Sequence, residues 1–206
     1  MTTVLVSGLG IAGPTVAYWL RRYGFTPTIV ERAPAPRTGG YMIDFWGVGY
    51  DVAERMLLVP AIQRDGYRMD ELRLVNHNGR RIGGVNASVF AAAADGRFTS
   101  LPRGDLAQDI IGHLQRDVEI VFDDSIAQIA EERNGVVVSF ERAQARRFDL
   151  VIGADGLHST VRHVVFGAIP EHFLGYNVAA FSVDAYPHRD EGVYVSYALP
   201  GRQAAR

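Results

Sequence analysis

Residues 3–31, TVLVSGLGIAGPTVAYWLRRYGFTPTIVE, decide the fold. The apolar run at the start is typical of a buried parallel strand, and residues 28–30 form a second run of the same kind. Between them, the apolar positions of residues 12–23 predict a helix, which Gly24 ends as its C′ residue. Strand, helix and strand together form a βαβ unit, which we expect to cross over in the right-handed sense.

The turn between the first strand and the helix matches the pattern G-x-G-x-x-G. Gly8 allows a tight turn out of the strand, Gly10 allows the backbone to approach a pyrophosphate, and Gly13 allows the helix to pack closely. Ile11 and Ala12 stand where the helix begins, and the free N–H groups there attract phosphate. The turn therefore predicts a dinucleotide site.

Two residues at the end of the second strand bear on which nucleotide is bound. Glu31 lies where a carboxylate accepts hydrogen bonds from ribose hydroxyls. Its charge also repels a 2′-phosphate, so the sequence predicts FAD or NAD in this turn rather than NADP. Arg32 either stacks on the adenine or faces solvent. The alternative for the whole stretch is a tight structural turn followed by a surface glutamate.

The composition is that of an ordinary globular protein, with 206 residues, 48% of them hydrophobic, and a formal net charge of −2. A chain this long forms one large domain or one and a half smaller ones. Its charge gives no reason to expect nucleic acid or an anionic membrane as a partner. The absence of cysteine excludes disulfides, zinc–thiolate sites and a catalytic thiol. The histidines show neither metal nor triad spacing, so we expect no metal and assign no catalytic residue.

The rest of the chain alternates strand and helix patterns. No apolar run is long enough to span a bilayer, and the N-terminus enters a strand directly, so we expect a cytoplasmic protein. Four patterns follow the first unit: a helix at 47–59, a hairpin at 67–85, a helix at 101–114 that Gly104 or Asp105 caps, and antiparallel strands within 118–148.

A second strand–glycine element follows at residues 149–162, DLVIGADGLHSTVR. Phe148–Ile152 predicts a parallel strand that returns to the first βαβ unit, and a helix follows it. Beyond it, residues 176–186 and 192–200 alternate like two strands of a separate, more exposed sheet. The chain stops directly after the last strand, which we interpret as an incomplete second domain.

Four segments together resemble the FAD-dependent aromatic hydroxylases, or class A flavoprotein monooxygenases. Within this family the chain is similar to para-hydroxybenzoate hydroxylase and the tetracycline-inactivating monooxygenases, and it resembles their N-terminal portion only. The segments are VLVSGLGIAGPTVAYWLRRYGFTPTIVERAP (4–34), PRTGGYMIDFWG (36–47), LPRGDLAQDII (101–111) and DLVIGADGLHSTVR.

The resemblance implies roles for individual residues. Gly8, Gly10 and Gly13 would surround the FAD pyrophosphate, and Glu31 would hold the ribose. Arg37 would contact NADPH, Asp44 would contact FAD, and Arg103 would reach the flavin side of FAD. Asp155 and Gly156 belong to a motif that would serve both nucleotides, and Arg162 is the last residue of that motif. A surface ion pair between Arg103 and Asp105 is the alternative for that arginine.

The resemblance also implies an α/β fold. A Rossmann-like FAD-binding domain, with a parallel sheet, helices and a β-meander, would occupy residues 1–170. Residues 67–100 would contribute to a mixed-sheet substrate domain, of which 171–206 are the beginning. Because the family members are considerably longer, we expect either a complementing C-terminal chain or a homo-oligomer.

The implied activity is an NAD(P)H-dependent monooxygenation. NAD(P)H reduces FAD, reduced FAD reacts with O2, and the resulting flavin hydroperoxide transfers oxygen to an aromatic or polyketide-like small molecule. Two alternatives stay open. One is a plain NAD(P)-binding Rossmann reductase, against which the interrupted order of strands argues. The other is an inactive truncated remnant or nucleotide-binding module.

Overall fold

The structure is a computed structural model that describes residues 1–114, 118–183, 186–187 and 190–206. His188 and two residues of the predicted strand at 176–186, namely 184 and 185, lie outside this part. The described chain forms two compact units. The first unit comprises Met1–Gly39 and Leu106–Ala179, and the second comprises Gly40–Asp105 and Ala180–Arg206.

The first unit is built on a parallel sheet. Its strands are β1 (Thr3–Ser7), β2 (Thr26–Glu31), β7 (Glu119–Phe122) and β11 (Leu150–Gly153), in the order β11-β1-β2-β7. A separate antiparallel meander contains β8 (Ile126–Glu132), β9 (Gly135–Phe140) and β10 (Arg146–Phe148). The helices of this unit are α1 (Ala12–Arg22), α6 (Thr160–Phe166) and most of α5 (Arg103–Gly112).

Alternate residues of β1 face two different layers. Val4 and Val6 are fully buried in a cluster with Ala17 of α1. Leu5 is fully buried in a second cluster with Val138 of the meander. A sheet covered on both faces is the usual setting of parallel strands, so the near-continuous apolar run of β1 follows from its position. The predicted βαβ unit and its parallel strands are confirmed.

Helix α1 ends as its sequence predicts. Gly24 has a φ of +84°, a conformation that glycine adopts at little cost. Its N–H donates to the Arg21 carbonyl at 3.1 Å, and the Phe25 N–H donates to the Leu20 carbonyl at 3.0 Å. These two bonds form a Schellman motif, which satisfies the last carbonyls of the helix.

The sequence predicted that β7 belongs to the antiparallel meander, but the structure places it in the parallel sheet. It pairs in parallel with β2, with Ile120 opposite Ile29. Ile120 packs on the cluster beside α1, and Val121 packs on the cluster beside the meander. The prediction was wrong because a strand covered on both faces cannot be assigned a pairing partner from its apolar pattern alone.

The second glycine element also differs slightly from its prediction. The strand that pairs in parallel with β1 is β11, with Ser7 opposite Gly153, so the return to the βαβ unit is confirmed. Phe148, however, ends β10 of the meander instead of starting this strand. Asp149 separates the two strands, and its N–H donates to the Thr3 carbonyl at 3.0 Å.

The second unit contains two small sheets. One has the order β13-β12-β4-β5, with β4 (Glu71–Val75), β5 (Arg81–Asn86), β12 (Val193–Leu199) and β13 (Arg202–Ala205). The other pairs β3 (Met42–Trp46) with β6 (Phe98–Pro102). Its helices are α2 (Val48–Arg55), α3 (Val59–Asp65) and α4 (Ser88–Ala93). The predicted hairpin is confirmed as β4 and β5.

Two predictions for this part of the chain were wrong in detail. Leu101 and Pro102 are strand residues, so α5 begins at Arg103, and Gly104 and Asp105 lie in its first turn instead of capping it. Residues 176–183 form no strand. They alternate in sequence, but no neighbouring edge pairs with them, and Val178 is 90% exposed.

The mixed sheet supports the predicted architecture, since a parallel pair, β12 with β4, adjoins two antiparallel pairs. The division into a cofactor domain and a substrate domain stays a prediction. No helix in the described ranges combines the length and apolar character needed to cross a bilayer.

Candidate functional site

The first glycine turn leaves no space for side chains at two positions. Gly8 has a φ of +107°, and a Cβ there would lie 2.7 Å from the carbonyl oxygen of Ala154. A Cβ on Gly13 would lie 1.8 Å from the carbonyl oxygen of Gly8. Both obstacles are backbone atoms, so neither can move aside as a flexible side chain would. The close helix packing predicted for Gly13 is therefore present, and Gly8 packs directly against the second glycine turn.

The helix that follows this turn starts without a side-chain cap. Ile11 occupies the N-cap position and has no polar atom to offer, and the first turn of α1 contains no acidic residue. Residues Gly10, Ile11 and Ala12 are at most partly buried. An α-helix leaves its first N–H groups without intrahelical partners, and their partial positive charge favours an anion. The N-terminus of α1 therefore fits a phosphate or pyrophosphate.

Glu31 ends β2 beside this turn and is only 8% exposed. Its Oε2 accepts a hydrogen bond from the Leu9 N–H at 2.7 Å, and its Oε1 accepts one from the Ala33 N–H at 2.9 Å. Arg37 lies 4.0 Å from Oε1 and is largely exposed. The carboxylate thus holds the glycine turn itself. Each oxygen has a second lone pair, so accepting from a ribose hydroxyl remains compatible with this arrangement.

The second turn is organised around Asp155. Its Oδ1 accepts from the Ser159 hydroxyl at 2.5 Å, and its Oδ2 accepts from the Val161 N–H at 3.0 Å. Ser7 directly precedes the first turn, and its hydroxyl also donates to Oδ2 at 3.4 Å. Asp155 therefore connects the end of β1 to the start of α6.

Helix α6 starts with hydrogen-bond partners from its own chain. Ser159 is its N-cap residue, and its hydroxyl accepts from the Arg162 N–H at 3.0 Å. The Arg162 guanidinium donates to the Leu157 carbonyl at 2.5 Å. Gly153 brings β11 close to this helix, since a Cβ there would lie 3.0 Å from the Val161 Cβ. Gly156 is different, because its φ is +80° but a Cβ would meet nothing within 4 Å.

The first unit therefore gathers most of the predicted cofactor residues. Gly8 and Asp155 meet directly, and Glu31 adjoins the same turn. Arg32 is exposed and follows Glu31.

Two predicted residues belong to the second unit. Asp44 lies on β3, where its Oδ1 accepts from the Ser100 hydroxyl at 2.6 Å. Arg103 begins α5, and its N–H donates to the Tyr41 carbonyl at 3.0 Å. Within the described residues, the side chains of Arg103 and Asp105 form no ion pair, so that alternative is not realised.

Three contributing residues were not found from the sequence. Ser7 contacts Asp155, Ser100 contacts Asp44, and Asp149 accepts from the Thr3 N–H at 2.7 Å and from its hydroxyl at 2.9 Å. These bonds lower the pKa of Asp149 from its ordinary value of 3.8, the backbone bond contributing most. Ser7 stands next to Gly8 and could have been noticed there. The other two depend on strand pairing, which the sequence does not specify.

The described part of the chain holds no cluster of three or more His, Asp or Glu side chains suited to a metal ion. The first turn fits an anionic ligand that accepts hydrogen bonds from backbone N–H groups. The ligand is therefore to be sought among phosphate-containing molecules.

Comparison with known proteins identifies the ligand class. The profile of the FAD binding domain family matches residues 1–200. The chain belongs to this family. The resemblance drawn from the four motifs is thereby confirmed, and with it FAD as the cofactor class, while NAD(P)H is not tested.

Similar proteins agree with this assignment. An uncharacterized protein of Mycobacterium tuberculosis is 42% identical over 194 residues, covering 92% of this chain and 52% of that protein. A flavin-dependent monooxygenase of Legionella longbeachae is 34% identical over 185 residues, covering 89% of this chain and 47% of that protein. The crystal structure of the tetracycline destructase Tet(51) superposes with a TM-score of 0.67 at 37% identity, covering 81% of this chain and 42% of that chain.

The chain spans about half the length of the curated relatives that it matches. The match to the flavin-dependent monooxygenases therefore concerns the portion in which the glycine turns lie.

Proposed function

We propose that the first unit binds the ADP half of FAD at its first glycine turn, as the cofactor-binding portion of a flavin-dependent monooxygenase. The observation that carries this proposal is the N-terminus of α1. It has no side-chain cap, and the glycine turn before it admits no Cβ at Gly8 or Gly13. A pyrophosphate would accept from the N–H groups of Gly10, Ile11 and Ala12.

Glu31 would accept from the ribose hydroxyls. Its position at the end of β2, bonded to the Leu9 N–H, keeps a carboxylate beside the turn. The negative charge disfavours a 2′-phosphate at this point, which supports FAD over NADP in the first turn. Arg32 is exposed and directly follows this carboxylate in sequence, and we propose it as a contact to the FAD nucleotide. Arg37 is exposed and lies 4.0 Å from Glu31 Oε1, and we propose it as a contact to NADPH.

Asp155 and Gly156 would act by shaping the site. The Asp155 carboxylate accepts three hydrogen bonds from its own chain, so its main contribution would be to hold the first turn against the second. In the second unit, the Asp44 carboxylate would accept a hydrogen bond from FAD. Arg103 would donate to FAD through its permanently charged guanidinium.

FAD, when bound, supplies the redox and oxygen-transfer chemistry, and the protein contributes binding and orientation. We propose NAD(P)H as the reductant, O2 as the oxidant, and an aromatic or polyketide-like small molecule as the substrate. The similarity to the tetracycline destructase supports this substrate class, because tetracycline is a polyketide that contains an aromatic ring.

We further propose that the working enzyme includes more polypeptide, either a complementing chain or another copy. Relatives are about twice as long, and the first unit exposes several large apolar residues from the last residue of α6 onward. Their exposed fractions range from 51% to 90%: Phe166, Ile169, Phe173, Leu174, Tyr176 and Val178. Exposed apolar surface of this extent is typical of interaction sites.

The test is the visible spectrum of the purified chain after incubation with FAD and removal of excess cofactor. Retained flavin bands, with FAD released on denaturation, would support the proposal. A colourless protein that instead binds NADH would contradict it and favour the NAD(P)-binding reductase. Reduction of the retained flavin by NADH or NADPH under anaerobic conditions then tests the proposed reductant.

A further inference from the structure

Ser100 and Asp44 form a contact to which the function proposed above assigns no role. They are directly opposite each other in the antiparallel pair of β3 and β6. The Ser100 hydroxyl donates to Asp44 Oδ1 at 2.6 Å, and Ser100 is only 7% exposed. A bond of this length between a hydroxyl and a carboxylate is a strong, charge-assisted one.

The position of Ser100 is fixed from both sides of its strand. One side pairs with Asp44, and on the other the Tyr67 N–H donates to the Ser100 carbonyl at 2.6 Å. Gly66 packs so closely that a Cβ there would lie 2.4 Å from the Thr99 hydroxyl oxygen. Because the backbone is held by two neighbours, the Cβ of Ser100 is fixed, and its hydrogen bond to Asp44 then sets the direction of the hydroxyl.

Asp44 keeps one carboxylate oxygen for another partner. Oδ1 is bonded to Ser100, and among the described residues Oδ2 accepts no hydrogen bond. Met42 and Trp46 lie on the same face of β3, since residues two apart on a strand point the same way. Their side chains are 46% and 62% exposed. An oriented acceptor therefore stands between two exposed apolar side chains.

We propose that Ser100 is a positioning residue for the cofactor. By holding Oδ1, it orients the Asp44 carboxylate so that Oδ2 accepts from an N–H or O–H group of FAD. This inference rests on the proposed function, because it requires that FAD is the ligand of Asp44.

The test measures FAD affinity of the full chain by quenching of flavin fluorescence. The variants are Ser100→Ala, Ser100→Thr, Asp44→Ala and the double variant with alanine at both positions. We expect Ser100→Ala to weaken FAD binding about tenfold, as for loss of a hydrogen bond to a charged group. Ser100→Thr keeps the hydroxyl and should stay within about twofold of the wild type. In the Asp44→Ala background, removing the Ser100 hydroxyl should have no further effect.

Two results of this titration would overturn the inference. Unchanged affinity in Ser100→Ala overturns it, and so does an equal loss with and without Asp44, since that would show a purely structural role. If Ser100→Ala melts below the titration temperature, Ser100→Cys replaces it as a variant of similar volume with a weak donor. If the wild type itself binds no FAD, the proposed function fails, and this inference fails with it.

Discussion

The helices that follow the two glycine turns of the first unit begin in different ways. At α1 the N-cap residue is Ile11, which cannot accept a hydrogen bond through its side chain. At α6 Ser159 caps the helix, and Asp155 accepts from the Val161 N–H. At α6, side chains of the same chain accept from two of the first N–H groups, whereas no side chain caps α1. We therefore propose different roles for these two similar strand–glycine–helix segments, with the first binding an anionic ligand and the second supporting the first.

The strongest way to break the first turn is Gly13→Ala. Its Cβ would lie 1.8 Å from the Gly8 carbonyl oxygen, which is a backbone atom of the turn and cannot move aside as a side chain would. We expect loss of FAD binding by about a hundredfold or more, together with a loss of several kcal/mol in folding stability, as for severe overpacking. FAD titration and thermal unfolding measure the two effects.

The matched change in the second turn is Gly156→Ala. The φ of Gly156 is positive, but a Cβ there would have no atom within 4 Å. We therefore expect only backbone strain of about 1 kcal/mol. If Gly13→Ala bound FAD as well as Gly156→Ala does, the close packing of the first turn would have no role in binding.

A smaller loss of FAD affinity is expected when a negative charge is introduced at the uncapped N-terminus of α1. Ile11→Asp places a carboxylate beside the N–H groups proposed to hold the pyrophosphate. We expect FAD affinity to fall about tenfold while the cofactor-free protein melts no lower, because an acidic residue favours a helix N-terminus. Ile11→Asn, which adds a neutral polar group, is the control. Equal FAD affinity in both variants would show that phosphate does not bind at this end.

The opposite pattern is expected at the second turn. Asp155→Ala removes the acceptor for Ser159, Val161 and Ser7. Loss of such a cap costs about 1–2 kcal/mol, so the unfolding midpoint should fall. FAD affinity should change less than in Ile11→Asp. A large loss of FAD affinity at an unchanged unfolding midpoint would mean that Asp155 is a direct ligand, contrary to the comparison.

The smallest effect concerns the strand beside the second turn. Hydrogen bonds from Thr3 lower the pKa of Asp149, so the ionised carboxylate is favoured in the folded state. This contribution is complete above the ordinary value of 3.8 and is lost as the pH falls through the lowered folded pKa. Asp149→Asn should therefore melt slightly lower than the wild type near neutral pH, and the difference should shrink below pH 3.8. A constant difference across an acid titration would exclude this linkage.

The first turn could be predicted almost completely from the sequence. Its glycines, the helix they introduce and the position of Glu31 depend on local spacing, which the chain carries within residues 3–31. The Schellman end at Gly24 is likewise a local feature. Local backbone constraints act within a few residues, so a single sequence is enough to reveal them.

The second turn could be predicted only in outline, because its contacts join distant parts of the chain. Ser7 and Asp155 are 148 residues apart. In the second unit, the contact between Asp44 and Ser100 joins residues 56 apart and could not be predicted for the same reason. The parallel pairing of β7 and the absence of a strand at 176–183 have the same origin. Strand pairing depends on which edges the completed fold offers, and alternation in sequence does not specify it.

The most direct test of the difference between the two turns is a competition experiment on the purified chain. FAD is bound and its fluorescence quench is followed while ADP or FMN is added. The account predicts saturable FAD binding at one equivalent, displacement by ADP, and little displacement by FMN, because the first turn holds the ADP half. Displacement by FMN but not by ADP, or no saturable FAD binding, would contradict it.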